Sequence, residues 1–277
     1  MSAVAAKPTA GGAMNPTAMA VGVVLLLVIL GNCWRVSPGL GLMALIGMVV
    51  GGVLIGFGTH FVPVGGAPAA MGQAPGIATG VAMLAAGAGL AGLFGGAWAA
   101  ELGPVVAVTT GAVGGGLMMA ITCMMVNFIY VFGMGIPAAS GKVLNDPITG
   151  DSQKEFKSQG TEGHGLPFVS FVGGVIGGIL AGGGGTLIYL MILDVYKATL
   201  PTMMKATEAQ IMPIAISAAG IFAVGIFLVN AVLTAYNITG TIEGPHDPKF
   251  KRWPRAIVAS AVASALCGLA AILIVVM

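Results

Sequence analysis

Long, almost uncharged apolar segments follow one another along nearly the whole chain, and they constrain the fold more than any other feature. Asp, Glu, Lys and Arg make up 7% of the 277 residues, whereas about 25% is usual in soluble domains. A globule with so few charges cannot cover itself with a soluble surface, and about 20 consecutive apolar residues suffice to cross a bilayer as a helix. The sequence therefore predicts an integral membrane protein rather than a self-contained soluble enzyme.

The apolar segments predict an all-α, polytopic bundle of about seven transmembrane helices, with a range of six to eight. The count depends on the fourth segment, which is too long for one upright span and contains three consecutive glycines from Gly114 that could divide it. We expect one membrane domain over residues 1–277, with polar loops at 137–167 and 237–255 and a short charged connector at 194–210. The predicted spans are residues 17–33, 39–61, 77–100, 104–134, 168–193, 211–236 and 256–277.

The basic residues are distributed unevenly between the two sides of this topology. Seven spans place the termini on opposite sides of the membrane, and cytoplasmic loops carry an excess of Lys and Arg. Eight of the eleven basic residues fall on the side of the amino terminus, and three fall on the other side. We therefore expect the amino terminus and both polar loops to lie in the cytoplasm.

Glycines are abundant, and many are spaced to share one face of a helix. The chain has 46 glycines, roughly twice the average share. Residues four apart lie on the same side of a helix, and small residues there let a neighbouring backbone approach closely. The pattern predicts a tightly packed bundle. The pairs are Gly47/Gly51, Gly52/Gly56, Gly92/Gly96, Gly111/Gly115, Gly173/Gly177, Gly174/Gly178 and Gly178/Gly182.

Motifs of soluble enzymes are not supported by their context. Residues 87–92 match the Gly-x-Gly-x-x-Gly dinucleotide fingerprint, but that motif needs a preceding strand and an accessible phosphate site, whereas this one lies in an apolar span. The three cysteines are far apart, and the histidines lack partners at metal-ligand spacing. We therefore expect no catalytic residues, no bound cofactor and no nucleic-acid binding in this chain.

A few polar side chains in or near the spans are weak candidates for a sodium path. Their oxygens are hard ligands that suit a small cation, but Asn and Thr also serve as interhelical hydrogen-bonding groups. Asp194 is followed three residues later by Lys197, and a surface ion pair is the simpler interpretation. Since no carboxylate lies at mid-membrane, we do not expect a complete ion site in this chain. The candidates are Glu101, Asn127, Thr186, Asp194 and Asn230.

The two polar loops carry the most distinctive sequence. Residues 160–171, Gly-Thr-Glu-Gly-His-Gly-Leu-Pro-Phe-Val-Ser-Phe, resemble the loop-to-helix entry of the C subunit of tetrahydromethanopterin S-methyltransferase. Residues 240–254, Gly-Thr-Ile-Glu-Gly-Pro-His-Asp-Pro-Lys-Phe-Lys-Arg-Trp-Pro, are similar to the second loop of the same protein. The D and E subunits of that complex are also polytopic and glycine-rich. On these loops the chain is identified as a member of the C-subunit family.

The resemblance implies a complex of several subunits in the cytoplasmic membrane of a methanogenic archaeon. That complex transfers a methyl group from methyl-tetrahydromethanopterin to coenzyme M through a cobamide and couples this step of methanogenesis to sodium export. The cobamide belongs to another subunit, and sodium is the transported ion. The implied partners are the polytopic D and E subunits, the cobamide-carrying subunit and membrane lipids.

Both polar loops are predicted to dock neighbouring subunits, although anionic lipid headgroups are an alternative partner for the basic run at 249–255. Two other functions stay open. In a weak repeat, a Val-Asn pair at 126–127 precedes an Asp-Pro pair at 146–147, and the same two pairs recur at 229–230 and 247–248. This repeat is compatible with a stand-alone sodium-coupled secondary transporter. A purely structural scaffold is the third alternative. The candidate partner contacts are Glu162, His164, His246, Asp247, Lys249 and Arg252.

Overall fold

The computed structural model describes residues 15–61, 89–128, 132–133, 145, 168–237 and 253–276. In these ranges the chain is α-helical, and six of its helices are long and apolar enough to cross a membrane. The predicted all-α polytopic bundle is therefore confirmed. The helices are α1 (Pro16–Val36), α2 (Leu40–Phe61), α3 (Ala91–Trp98), α4 (Pro104–Phe128), α5 (Phe168–Met204), α6 (Glu208–Asn237) and α7 (Trp253–Val276).

Local sequence signals set where several helices begin. The side chain of Asn15 accepts a hydrogen bond from the backbone N–H of Thr17 at 3.0 Å, and Pro16 occupies the first turn of α1. A 3-10 turn at Ala100–Leu102 follows α3, and Gly103 then separates it from α4. Gly103 has φ +100°, a conformation that residues with a Cβ rarely adopt. The consecutive glycines within the fourth predicted span leave α4 unbroken.

The predicted third span, residues 77–100, is described in its second half. Residues 77–88 lie outside the described residues. The remainder forms α3, whose buried face includes Gly92, Leu93 and Gly96. This face packs against α4 and α5.

The prediction that the fifth span ends at Leu193, before a charged connector at 194–210, is wrong. Helix α5 continues to Met204. Its apolar face persists because Val195, Tyr196 and Leu200 are buried, while the charged side chains point away from that face. The helix ends at Lys205, which has a left-handed φ of 50°. Asp194 and Lys197, two of the charged residues that indicated a connector, thus lie on a helix that extends beyond its apolar segment.

Helix α5 is the centre of the packing and contacts α2 and α4 most extensively. The contact with α2 is made through glycines. A Cβ placed on Gly51 would lie 2.5 Å from the carbonyl oxygen of Gly184, and a Cβ on Gly184 would lie 2.5 Å from that of Gly51. The two backbones therefore touch without intervening side chains, as the glycine spacing predicts.

Candidate functional site

Four polar side chains are buried together where α2, α6 and α7 meet. They are Asn230 and Thr234 on α6, and Ser260 and Ser264 on α7, and each is 0% exposed. In both pairs the residues are four apart and so lie on the same helix face. We call this set of four side chains the polar seam. It lies inside the bundle, near the middle of α7.

The wall opposite the seam is the backbone of α2. A Cβ on Gly52 would collide with the hydroxyl oxygen of Ser264. One turn further along, a Cβ on Gly56 would lie 2.7 Å from Ser260 Oγ and 3.4 Å from Thr234 Oγ1. The seam therefore has two levels, separated by the rise of about 6 Å that four helical residues give.

The amide group of Asn230 connects α6 to α7 at the level of Gly52. Its Nδ2 donates to the carbonyl oxygen of Ile226 at 2.9 Å and to Ser264 Oγ at 2.8 Å. The amide oxygen therefore points away from both partners. This bond joins α6 to α7 through two side chains that are neutral at every physiological pH.

Three oxygens of the seam have no hydrogen-bond partner among the described residues. They are Asn230 Oδ1, Thr234 Oγ1 and Ser260 Oγ. In a membrane interior each unsatisfied polar group costs several kcal/mol, because lipid offers no replacement. Three such atoms in one cluster therefore leave hydrogen-bonding capacity that the described residues do not satisfy.

Polar groups continue from the seam to the helix ends. One turn beyond Gly56, the buried side chain of His60 contacts the carbonyl oxygen of Gly56 through Nδ1 at 2.8 Å. His60 Nε2 lies 3.5 Å from Asn237 Nδ2, and Arg255 Nε donates to Asn237 Oδ1 at 2.7 Å. We call His60, Asn237 and Arg255 the mouth. It lies at the side of the bundle where residues 238–252 join α6 to α7.

Of the polar residues predicted from the sequence as sodium-path candidates, Asn230 lies in the seam and Thr186 lies elsewhere. The Thr186 hydroxyl is 3.1 Å from the carbonyl oxygen of Gly92 and 2.9 Å from that of Gly182. The Thr186 hydroxyl therefore links α5 to α3, where glycines bring the two helices close together. Asn127 belongs to α4, but its side chain lies outside the described residues.

The proposed surface ion pair between Asp194 and Lys197 is replaced by another pair. Lys197 Nζ lies 3.2 Å from Glu101 Oε1, so the ammonium group ties α5 to the 3-10 turn after α3. Asp194 is on the exposed side of α5. The Glu101 side chain is 83% exposed, which makes the pair a surface interaction.

The candidate partner contacts in the two polar loops lie outside the described residues. They are Glu162, His164, His246, Asp247, Lys249 and Arg252. Sequence reasoning missed Ser260 and Ser264, because serines in an apolar span resemble packing residues. The signal that could have identified them is their spacing of four, which matches the spacing of Gly52 and Gly56 and of Asn230 and Thr234.

In the described part of the chain, six helices are long and apolar enough to cross a membrane, and three of them bury a polar seam, which defines a multi-pass membrane protein. Comparison with known proteins then places the chain more narrowly. The profile of the family described as the D subunit of tetrahydromethanopterin S-methyltransferase matches residues 41–264. The chain belongs to this family.

Individual relatives agree over most of their length. The chain is 51% identical over 229 residues to the D subunit of Methanosarcina mazei, which covers 82% of this chain and 91% of the relative. It is 53% identical over 234 residues to the D subunit of Methanothermobacter marburgensis, with 84% and 97% covered. The D subunit of Methanocaldococcus jannaschii is 43% identical over 240 residues, with 84% and 97% covered.

These matches correct the assignment to the C subunit and confirm the methyltransferase complex. The resemblance rested on two short loops, whereas the D-subunit match extends from α2 into α7. The chain is thus a membrane subunit of the methanogen methyltransferase, and other subunits of that complex are its partners. The D subunit is removed from the predicted partners, because this chain itself belongs to the D-subunit family.

Proposed function

We propose that this chain takes part in sodium export as a non-catalytic membrane subunit of the methyltransferase complex. In this proposal the methyl group passes from methyl-tetrahydromethanopterin to coenzyme M through a cobamide on another subunit. The polar seam is the observation that supports a role in ion movement. Amide and hydroxyl oxygens are hard ligands suited to sodium, and several of those in the seam have no hydrogen-bond partner among the described residues.

The direction of transport fits the position of the mouth. The positive-inside rule predicts that the loop at 237–255 is cytoplasmic, and the mouth lies at that end of α6 and α7. Sodium that is exported from the cell would enter the protein from this cytoplasmic side. Single cysteines introduced at the two ends of α7 test the orientation. In right-side-out vesicles, an impermeant thiol reagent should label the end near Val276 and not the end near Trp253.

Coupling to the methyl transfer requires two conformations that differ in their affinity for sodium on the two sides of the membrane. The seam lies between helices contributed by different parts of the chain, so a shift of α6 and α7 against α2 would change its oxygen arrangement. The C and E subunits and the cobamide-carrying subunit are the partners we propose to drive this shift. Their docking surface is the pair of polar loops.

The docking proposal is tested by deleting residues 160–167 from the first loop. We expect the partner subunits to be lost from the purified complex, while the chain itself stays in the membrane. Replacement of the same eight residues by a flexible sequence of equal length controls for the shortened connection. A complex that keeps all its subunits after the deletion would contradict docking through this loop.

The transport proposal is tested with the whole complex in proteoliposomes. Methyl transfer to coenzyme M is started in the presence of radioactive sodium, and methyl transfer and sodium uptake are both measured. Complexes with Asn230→Leu should form and transfer methyl groups but move less sodium per methyl group. An unchanged ratio in that variant would favour a scaffold. Catalytic subunits purified without this chain should still transfer the methyl group, and their failure to do so would contradict the non-catalytic role.

A further inference from the structure

We propose that a cleft between α3 and α6 binds one membrane lipid, with the hydroxyl group of Tyr189 as the hydrogen-bond donor to an oxygen of the lipid's glycerol linkage. The hydrocarbon chain of this lipid would lie along the cleft, between Leu93 on α3 and Val224 on α6. The cleft shares no residue with the polar seam, and the inference does not depend on a role in sodium export.

The cleft lies where α3 and α6 both pack against α5 but have little contact with each other. Its floor is the buried ring of Tyr189, and its volume is about 500 Å³. Phe94 on α3 and Ile221 on α6 form the two rims, and each is 72% exposed. The cleft therefore opens sideways, between the two helices, on the apolar outer surface of the bundle.

The inner end of the cleft is closed by an aromatic ring. A Cβ placed on Gly89, just before α3, would lie 3.0 Å from the ring of Phe227 on α6. A Cβ on Gly185 of α5 would lie at the same distance from this ring. Phe227 therefore fills the space between the three helices at this level and ends the cleft.

The level of Tyr189 follows from how α3 and α5 pack. The two helices run in the same direction, since Gly92 lies against Gly182 and Gly96 lies against Thr186. Tyr189 follows Thr186 by three residues, so it lies about 4.5 Å further along this direction. The hydroxyl group of Tyr189 therefore belongs to the end of the cleft away from Phe227, which we call the outer end.

The residues around the outer end are typical of a membrane–water interface. Trp98 of α3 is 80% exposed, and tryptophan is enriched at the level of the lipid headgroups. The ion pair between Glu101 and Lys197, at 3.2 Å, follows within one further turn of the chain. A lipid whose headgroup lies beside these residues would have its glycerol linkage near Tyr189 and its chain directed inward.

Tyr189 has an unused hydrogen-bond donor. Its side chain is 3% exposed, but its hydroxyl group forms no hydrogen bond with any described residue. By contrast, the hydroxyl group of Tyr196 on the same helix donates to the carbonyl oxygen of Ala271 at 3.0 Å. A buried hydroxyl group without a partner costs free energy. An oxygen of a bound lipid would accept this bond, since the phenol is a donor at every physiological pH.

The size of the cleft favours a hydrocarbon chain over a helix of a partner subunit. The α6 wall rises by about 12 Å from Ile216 to Val224. A helix about 10 Å in diameter would occupy about 900 Å³ over this length, nearly twice the volume of the cleft. The lining also changes from the hydroxyl groups of Tyr189 and Ser217 at the outer end to leucine and phenylalanine at the inner end. This order matches the polar and apolar parts of a lipid.

The site is tested with a photoactivatable lipid on the intact complex. The complex is purified in a maltoside detergent, and phosphatidylcholine that carries a diazirine at the end of one chain is added in increasing amounts. After illumination, mass spectrometry locates the labelled peptides. We expect saturable labelling at residues 90–97 and 216–227. The exposed face of α1 around Val24 reports non-specific contact with lipid, and its labelling should rise without saturation.

Two variants distinguish the hydrogen bond from the shape of the cleft. Tyr189→Phe removes the hydroxyl group and keeps the ring, and the half-saturating lipid concentration should rise about fivefold, as expected from one hydrogen bond worth about 1 kcal/mol. Tyr196→Phe is the matched control and should leave this concentration unchanged, because its hydroxyl group is used inside the bundle. Ser217→Leu fills the outer part of the cleft and should abolish the saturable labelling without changing that of α1.

The inference would be overturned by several results. Labelling of the cleft that rises without saturation, as on α1, would show ordinary contact with bulk lipid. An unchanged half-saturating concentration in Tyr189→Phe or Ser217→Leu, or an equal rise in Tyr196→Phe, would show that the lipid is not held at this place. A cleft that stays unlabelled in the intact complex while α1 is labelled would show that a partner subunit fills it.

Discussion

The contact between Gly51 and Gly184 makes a quantitative prediction about helix packing. In the structure a Cβ on Gly184 would lie 2.5 Å from the Gly51 carbonyl oxygen and 3.0 Å from Leu54 Cβ. Ordinary carbon–oxygen contacts of this kind are about 3.3–3.6 Å. Gly184→Ala therefore requires α2 and α5 to separate by about 1 Å, because a backbone carbonyl cannot rotate away as a flexible side chain can.

Two opposing contributions set the magnitude. Alanine in a helix interior is favoured over glycine by about 0.5–1 kcal/mol. Overpacking a well-packed interior costs about 1–3 kcal/mol, and a gap of 0.5–1 Å loses a quarter to a half of each dispersion contact. The net expectation for Gly184→Ala is a destabilisation of about 1–2 kcal/mol.

The assay is thermal unfolding of the purified complex, followed by loss of subunits from it. A destabilisation of this size lowers the melting temperature by several degrees, at about 2–4 °C per kcal/mol for a domain of 150–250 residues. Gly220→Ala on α6 is the control, since nothing lies within 4 Å of its added Cβ, and this variant should melt at or slightly above the wild-type temperature.

A double variant sharpens the test. Once the helices have separated for one methyl group, the second is accommodated at little extra cost, so Gly51→Ala with Gly184→Ala should be much less than additive. Full additivity, or a Gly184→Ala complex as stable as wild type, would refute direct backbone contact between α2 and α5.

Two further predictions concern polar contacts between helices. Tyr196→Phe removes the hydrogen bond from the buried tyrosine hydroxyl to the Ala271 carbonyl oxygen at 3.0 Å, and chemical or thermal unfolding should show a loss of about 0.5–1.5 kcal/mol; no loss would mean that this bond contributes nothing. Glu101→Gln breaks the exposed ion pair with Lys197, and its effect should stay below about 1 kcal/mol and vanish at high salt. A larger or salt-independent effect would show that the pair is shielded in the complex.

The ends of the helices could be predicted from the sequence where the length of an apolar segment or a capping residue determines them. The entry of α1 at Asn15 and Pro16 and the start of α4 after Gly103 follow from local backbone chemistry. The end of α5 could not be found in this way. Asp194 and Lys197 reduce the local hydropathy, but a helix continues as long as one face stays buried, and that face depends on its neighbours.

Only part of the candidate site could be predicted from the sequence. Asn230 is conspicuous because an amide in an apolar span must find a partner. Its partner Ser264 is 34 residues away, and the residues that complete the seam follow from which helices are adjacent, a matter that periodicity within one helix cannot settle. The same holds for Lys197 and Glu101, which are 96 residues apart.

The backbone contact between Gly51 and Gly184 also restricts how the protein can move. A glycine has no rotamers, so this point of contact cannot absorb a displacement by reorienting side chains, and the two glycines lose no side-chain entropy when it forms. At this level α2 and α5 can move apart only by displacing their backbones, whereas Ile188 and Leu54 line the same interface with side chains. Motion between these two helices is therefore harder at this level than at surfaces where side chains with several rotamers meet.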